Sequence, residues 1–197
     1  KAEANQRWGA TVQLLSKATY FKAVNIVFEN SFNRYLTDEE IADGVTPSGS
    51  QSINFQRVKG ADVRSKAATE RGAAITIDAD KTEFVNCKFY GSQDTLYTGG
   101  KVGYFKNCKI EGNTDYIFGS GDYVFDSCEL SFYGYSNSAV GGYITAARQQ
   151  TLGYLFNNCK ITANPQLTVN AGYLGRPWRE TAVVLFYNTV IQKDNLI

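Results

Sequence analysis

The sequence predicts an all-β chain wound as a parallel β-helix, a single-stranded solenoid with coils of about 21 residues. Three observations carry this expectation. Four segments repeat one pattern: Phe84-Val85-Asn86-Cys87-Lys88-Phe89, Phe105-Lys106-Asn107-Cys108-Lys109-Ile110, Phe125-Asp126-Ser127-Cys128-Glu129-Leu130 and Phe156-Asn157-Asn158-Cys159-Lys160-Ile161. Their cysteines fall 21, 20 and 31 residues apart. Each copy alternates apolar and polar residues as a half-buried strand does, and no long helical pattern separates the copies. Leucine-rich repeats share the period, but their leucine and asparagine pattern is missing here.

The remaining elements follow from this phase. Phe186-Tyr187-Asn188-Thr189-Val190-Ile191 and Phe21-Lys22-Ala23-Val24-Asn25-Ile26 read as further copies, with Thr189 and Val24 in the cysteine position. The longer step from Cys128 to Cys159 places a loop of about ten extra residues at the polar, Gly-rich stretch 133–142. Between Val24 and Cys87 lies a longer loop excursion, residues 31–70. In it Thr37-Asp38-Glu39-Glu40-Ile41 has the spacing of a capping box and predicts one short helix, followed by a Gly/Ser/Pro stretch. A length of 197 residues predicts a single domain spanning 1–197.

Composition removes whole classes of chemistry. The chain has no histidine, which excludes Ser-His-Asp and Cys-His catalysis and histidine-held zinc or haem. Acid–base work near neutral pH then falls to shifted carboxylates, Lys, Tyr or Cys. A net charge of +1 provides no broad basic field for nucleic acid. The longest apolar run, residues 182–187, is far too short for a membrane span. No methionine is present and the sequence opens at Lys1 without an apolar leader, as expected of an internal piece of a longer precursor.

Four cysteines in one phase of four coils should stack in a column with strands about 4.8 Å apart. A buried thiol ladder, disulfides between adjacent coils and a metal site are the alternatives. With no C-x-x-C pair, metal is the weakest of them.

Applied to charged residues, the same period yields a candidate site. Gln93-Asp94-Thr95-Leu96-Tyr97 superposes on Thr114-Asp115-Tyr116-Ile117-Phe118 with a shift of 21. Asp94 and Asp115 should be lateral neighbours on consecutive coils, with Leu96 over Ile117 and Tyr97 over Phe118. Two carboxylates at one strand spacing cannot both ionise cheaply, so one pKa should rise while a cation holds the other low. The alternative is that each aspartate satisfies backbone N–H groups at a strand-to-turn junction. Further on, Tyr173-Leu174-Gly175-Arg176-Pro177-Trp178-Arg179 offers an arginine that can pair with a carboxylate and a tryptophan that can face a sugar ring.

Three segments, Gly91-Ser92-Gln93-Asp94-Thr95-Leu96-Tyr97, Asp115-Tyr116-Ile117-Phe118-Gly119 and Leu174-Gly175-Arg176-Pro177-Trp178, resemble the pectin methylesterases in order and spacing. Weaker similarity begins at Gly9-Ala10-Thr11-Val12 and Val24-Asn25-Ile26-Val27-Phe28-Glu29-Asn30 and covers nearly the whole chain. The resemblance implies a right-handed parallel β-helix that hydrolyses methyl esters of polygalacturonate through an aspartyl acyl-enzyme, without metal or other cofactor. It implies Asp115 as nucleophile, Asp94 as general acid and then base, Gln93 as oxyanion donor, and Arg176 as the cation that keeps Asp115 ionised. Trp178, Thr11, Phe118 and Tyr97 would contact substrate. Arg71, in Arg71-Gly72-Ala73-Ala74-Ile75, stands where the family usually has a second oxyanion glutamine; it either joins the site or points into solvent.

The family's opening strands and C-terminal region look absent, and its substrate implies a secreted, extracellular or cell-wall protein. Methyl-esterified homogalacturonan would be its partner, with no nucleic acid, no membrane and a monomeric state. Competing readings are a non-catalytic polysaccharide-binding or structural module, and a lyase or glycoside hydrolase on the same scaffold.

Overall fold

The computed structural model describes residues 9–31, 71–135, 141–165, 172–192 and 196–197. Three parallel sheets of six strands carry these residues, and strands are numbered in chain order. The first sheet holds β1 (Val12–Leu14), β4 (Ile75–Ile77), β7 (Leu96–Thr98), β10 (Ile117–Gly119), β13 (Gly142–Ala147) and β16 (Gly172–Gly175). The second holds β2 (Lys22–Val24), β5 (Thr82–Val85), β8 (Val102–Lys106), β11 (Asp122–Asp126), β14 (Tyr154–Asn157) and β17 (Val184–Tyr187). The third holds β3 (Val27–Glu29), β6 (Lys88–Tyr90), β9 (Lys109–Gly112), β12 (Glu129–Phe132), β15 (Lys160–Ala163) and β18 (Val190–Ile191). Each coil gives one strand to each sheet in turn, so the chain is a right-handed parallel β-helix, as its repeats predict.

The repeat is legible because each of its residues has a separate task. Phe84, Phe105, Phe125, Phe156 and Phe186 pair in register on the second sheet. Their rings stack with centroids 4.6 to 4.8 Å apart, the strand spacing itself. The asparagine that follows makes the corner into the third sheet. Asn25, Asn86, Asn107, Ser127, Asn158 and Asn188 all adopt φ between 47° and 59°, a left-handed conformation that short polar side chains tolerate.

The four cysteines are free and buried, which selects the thiol ladder among the three alternatives. Each of the last three thiols donates to the carbonyl of the phenylalanine one coil back: Cys108 to Phe84 at 3.4 Å, Cys128 to Phe105 at 3.6 Å and Cys159 to Phe125 at 3.3 Å. Thr189 occupies the same phase as expected, its hydroxyl donating to the Phe156 carbonyl at 3.2 Å.

The first coil departs from its expected alignment. Ala23, not Phe21, pairs with Phe84, so the left-handed corner is Asn25 and Ile26, not Val24, takes the cysteine phase. Phe21 instead packs against Phe84 from the side, with rings 5.9 Å apart and tilted by 50°. A bulky ring outside the column replaces one within it, which is why an alignment led by the aromatic slips by two residues.

The longer fifth coil splits its insertion. Most of it lies between Phe132 and Gly142, as predicted, but the turn from the first to the second sheet is also longer, since Ile117 pairs with Thr145 and Tyr123 with Tyr154. The excursion 31–70, with the helix expected at Thr37, lies outside the described residues beyond Ser31.

The stacked rings predict a graded response to truncation. Phe125→Ala, in the middle of the column and fully buried, should cost about 3 to 5 kcal/mol in denaturant unfolding. Phe186→Ala, at the half-buried end, should cost less than half of that.

Candidate active site

The first sheet turns one face inward and one outward, and the outward face builds the site. Ile75, Leu96 and Ile117 sit in the main core, whereas Tyr97, Phe118 and Ala146 form a separate apolar cluster against Trp178. Tyr97 and Phe118 pair directly, with rings 5.1 Å apart, as the shift of 21 predicts. Gly119 follows at φ 139°, and a Cβ there would lie 2.3 Å from the Thr98 carbonyl oxygen, so only glycine lets these two coils close up behind Phe118.

Just before β7 and β10 the chain turns sharply at Asp94 and Asp115, both left-handed with φ of 63° and 53°. The Asp94 amide donates to the Thr114 carbonyl at 3.0 Å and the Leu96 amide to that of Tyr116 at 2.9 Å. This ladder sets the two aspartates side by side on consecutive coils. Both line one cavity of about 350 Å³, together with Arg71, Gln93, Phe118, Ala146, Arg176, Pro177 and Trp178.

The two acids are in opposite electrostatic situations. Arg176 grips Asp115 with both arms of its guanidinium, Nε to Oδ1 at 2.8 Å and Nη2 to Oδ2 at 2.7 Å. Such a two-point pair fixes the orientation of the carboxylate. The arginine also lies over the Tyr143 ring at 4.5 Å, and the Asp115 carboxylate holds its own pKa above the ordinary value. Asp94 is only 5% exposed. Burial pushes its carboxyl up to about 8 and the Asp115 charge adds to the rise, against the opposing charges of Arg71 and Arg176. Neither aspartate accepts a backbone N–H among the described residues, unlike Asp122, whose Oδ1 accepts three. The alternative reading of these aspartates as turn-satisfying residues is therefore not what the geometry realises.

Gln93 and Arg71 stand at the other side of the acids. They form an isolated parallel bridge, with the Gly72 amide donating to the Gln93 carbonyl at 3.2 Å. Arg71 lines the cavity while remaining exposed to solvent. The Trp178 ring lies 6.2 Å from Phe118 and beneath two further cations, Arg148 at 5.1 Å and Arg179 at 5.6 Å.

Two expected contact residues are placed elsewhere. The Thr11 hydroxyl donates to the Glu29 carbonyl at 2.9 Å, and Thr11 does not line the cavity. Tyr97 is buried beneath the neighbouring ring rather than presented to a ligand. Conversely, Tyr143, which supports Arg176, and Arg148, beside Trp178, escaped the sequence reading. Tyr143 occupies the Asp94 and Asp115 phase of the fifth coil, hidden by the insertion that breaks the 21-residue step. No group of three or more metal-binding side chains occurs among the described residues.

The class of molecule is thus a parallel β-helix with a carboxylate pair in a lateral cleft. Residues 48–195 match the family model described as Pectinesterase, and the chain belongs to that family. It is 37% identical over 165 residues to the probable pectinesterase A of Neosartorya fischeri, covering 81% of this chain and 47% of that protein. Among solved structures, the pectin methylesterase of Aspergillus niger is 35% identical with a TM-score of 0.57, over 71% of this chain and 42% of its own. The pectin methylesterase of Erwinia chrysanthemi shares the fold with a TM-score of 0.68 at 23% identity, over 96% of this chain and 55% of its own. The chain spans about half the length of the curated relatives it matches, 47% in the first three.

The raised Asp94 pKa has a consequence for stability. An unfolded aspartate ionises near 3.8, whereas the folded one holds its proton to about 8, so the folded state binds more protons between these values and loses stability as pH rises through them. Asp94→Asn keeps the shape, tolerates the same left-handed backbone and cannot ionise. The variant should match the parent near pH 4 and exceed it increasingly up to about pH 8, by on the order of a few kcal/mol, in chemical unfolding followed against pH.

Proposed function

We propose that this chain hydrolyses the methyl esters of pectin, releasing methanol and leaving free carboxylates on homogalacturonan. The observation that carries this reading is the opposed pair: Asp115 gripped at two points by Arg176, Asp94 buried with its carboxyl pKa raised, both on one cavity. A nucleophile and an acid are what ester cleavage needs, and splitting the properties of two like groups is one way a chain without histidine can obtain both.

In this mechanism a carboxylate oxygen of Asp115 attacks the ester carbonyl carbon. The tetrahedral oxyanion is met by the side-chain amide of Gln93 and by the Arg71 guanidinium. As the bond to the methoxy oxygen breaks, Asp94 gives that oxygen its proton and methanol departs, leaving an acyl group on Asp115. Asp94, now ionised, takes a proton from water, which attacks the acyl carbon and frees Asp115. Phe118 and Trp178 supply an apolar floor and wall for the sugar, and no step needs a metal. On the same reading the protein works outside the cell, where its polymer is found.

Methanol release from highly methylated pectin tests this directly. Asp115→Asn should reduce it to background. Gln93→Ala should lower kcat by about 10²- to 10³-fold, the usual worth of one oxyanion donor. Intact polysaccharide binding without methanol would instead establish a binding module, and a shortened polymer a depolymerase.

The pH profile gives a separate check. Since acylation requires protonated Asp94, kcat/KM should fall above about pH 8. Arg71→Gln removes a charge that opposes the rise of the Asp94 pKa, so the alkaline limb should move to higher pH. A limb that stays in place would put the cation outside the reaction.

A further inference from the structure

The wall that carries Arg176 and Trp178 is a loop, residues 176–183, between β16 and β17. Its entry is tied to the neighbouring coil by two backbone bonds, the Arg176 amide to the Thr145 carbonyl at 2.9 Å and the Trp178 amide to the Ala147 carbonyl at 2.8 Å. Beyond Trp178 the loop closes on itself, the Ala182 amide donating to the Arg179 carbonyl at 3.1 Å and an Arg179 arm to the Trp178 carbonyl at 2.8 Å. Its exit is held at Val183. The Val183 carbonyl accepts from the Tyr154 amide at 3.0 Å, and the Val183 amide donates to Oε1 of Gln150 at 3.3 Å.

Gln150 is itself fixed from the opposite direction. Its Nε2 donates to the Gly121 carbonyl at 2.8 Å, one coil further back. The turn in which it sits is gathered by Asp122, whose Oδ1 accepts the amides of Thr151, Leu152 and Gly153 at 3.2, 2.9 and 2.8 Å. One carboxamide therefore joins three successive coils. The donor end fixes which way the amide faces, so that the oxygen is presented to the loop.

We propose that Gln150 is a positioning residue for the sugar-binding wall: by bridging Gly121 to Val183 it fixes the exit of the loop and so the placement of Arg179 over the Trp178 ring at the edge of the cavity. Arg176 is secured independently, by Thr145 behind it and Asp115 in front. The clamp accordingly acts on substrate binding and leaves the acid pair untouched. This inference rests on the pectin esterase reading for its kinetic part only.

The experiment uses the full chain as parent, Gln150→Ala and Gln150→Glu, with two readouts. The first is backbone hydrogen exchange. Gln150→Ala should exchange the Val183 amide about fivefold to tenfold faster, the worth of roughly one ordinary hydrogen bond, with β10 to β12 unaltered. Gln150→Glu keeps an acceptor for Val183 but loses the donor to Gly121, and should recover part of the protection. The second is methanol release from methylated pectin. For Gln150→Ala, KM should rise about fivefold to tenfold, with kcat within about twofold of the parent and the alkaline limb unmoved.

Unchanged Val183 exchange would overturn the clamp. So would a loss of kcat at constant KM, or a rise in KM matched by faster exchange throughout the solenoid. A parent that releases no methanol would refute the esterase reading alone, while the exchange measurement would still decide on Gln150.

Discussion

The lateral register of the parallel backbone ladder is the constraint from which the rest of this molecule follows. Because each amide donates to the coil beside it, a residue is placed over its counterpart about one repeat away, and every property of a side chain is multiplied along a column. For phenylalanine the multiplication is favourable, giving continuous ring stacks at the strand spacing. The same holds for asparagine, which turns each corner, and for cysteine, a small buried group whose thiol donates to the carbonyl one coil back. Thr189 makes the same bond with a hydroxyl.

For aspartate the multiplication is a cost, and the site is the way that cost is met. Two carboxylates in adjacent coils repel, and the relief is asymmetric: the fold supplies a guanidinium to Asp115 and low solvent access to Asp94. The result is one acid paired with a cation and one shielded from water with its pKa raised, in a single cavity. The arginine arrives from two coils further along the solenoid, backed by Tyr143 in the coil between. Four consecutive coils, from that of Asp94 to that of Arg176, therefore meet around the two acids.

The sequence repeat was easiest to read where the coils were equal in length. Asp94 over Asp115 and Tyr97 over Phe118 follow from one shift of 21 residues, with no further information. Legibility failed where coils are unequal or terminal. Tyr143 and Arg148 belong to the cavity region by position, but the insertion before β13 removes the spacing that would have placed them. In the first coil the conspicuous Phe21 drew the alignment, although the corner asparagine, Asn25, marked the true phase. Thr11 aligned as a site residue, yet its hydroxyl is engaged by the Glu29 carbonyl.

What the sequence by itself determined was the solenoid, its period, and the pairing of the two acids, because parallel register converts equal spacing along the chain into adjacency in space. The burial of Asp94, the pairing of Asp115 with Arg176 and the bridge beside Arg71 came only from the tertiary structure. Those outcomes depend on solvent exclusion and on charges from distant parts of the chain: burial from the surrounding coils, a guanidinium 61 residues away from Asp115, and a bridge between Arg71 and Gln93 outside the regular strands. Electrostatic energy depends on distance and solvent access in three dimensions, and repeat spacing supplies only one of them.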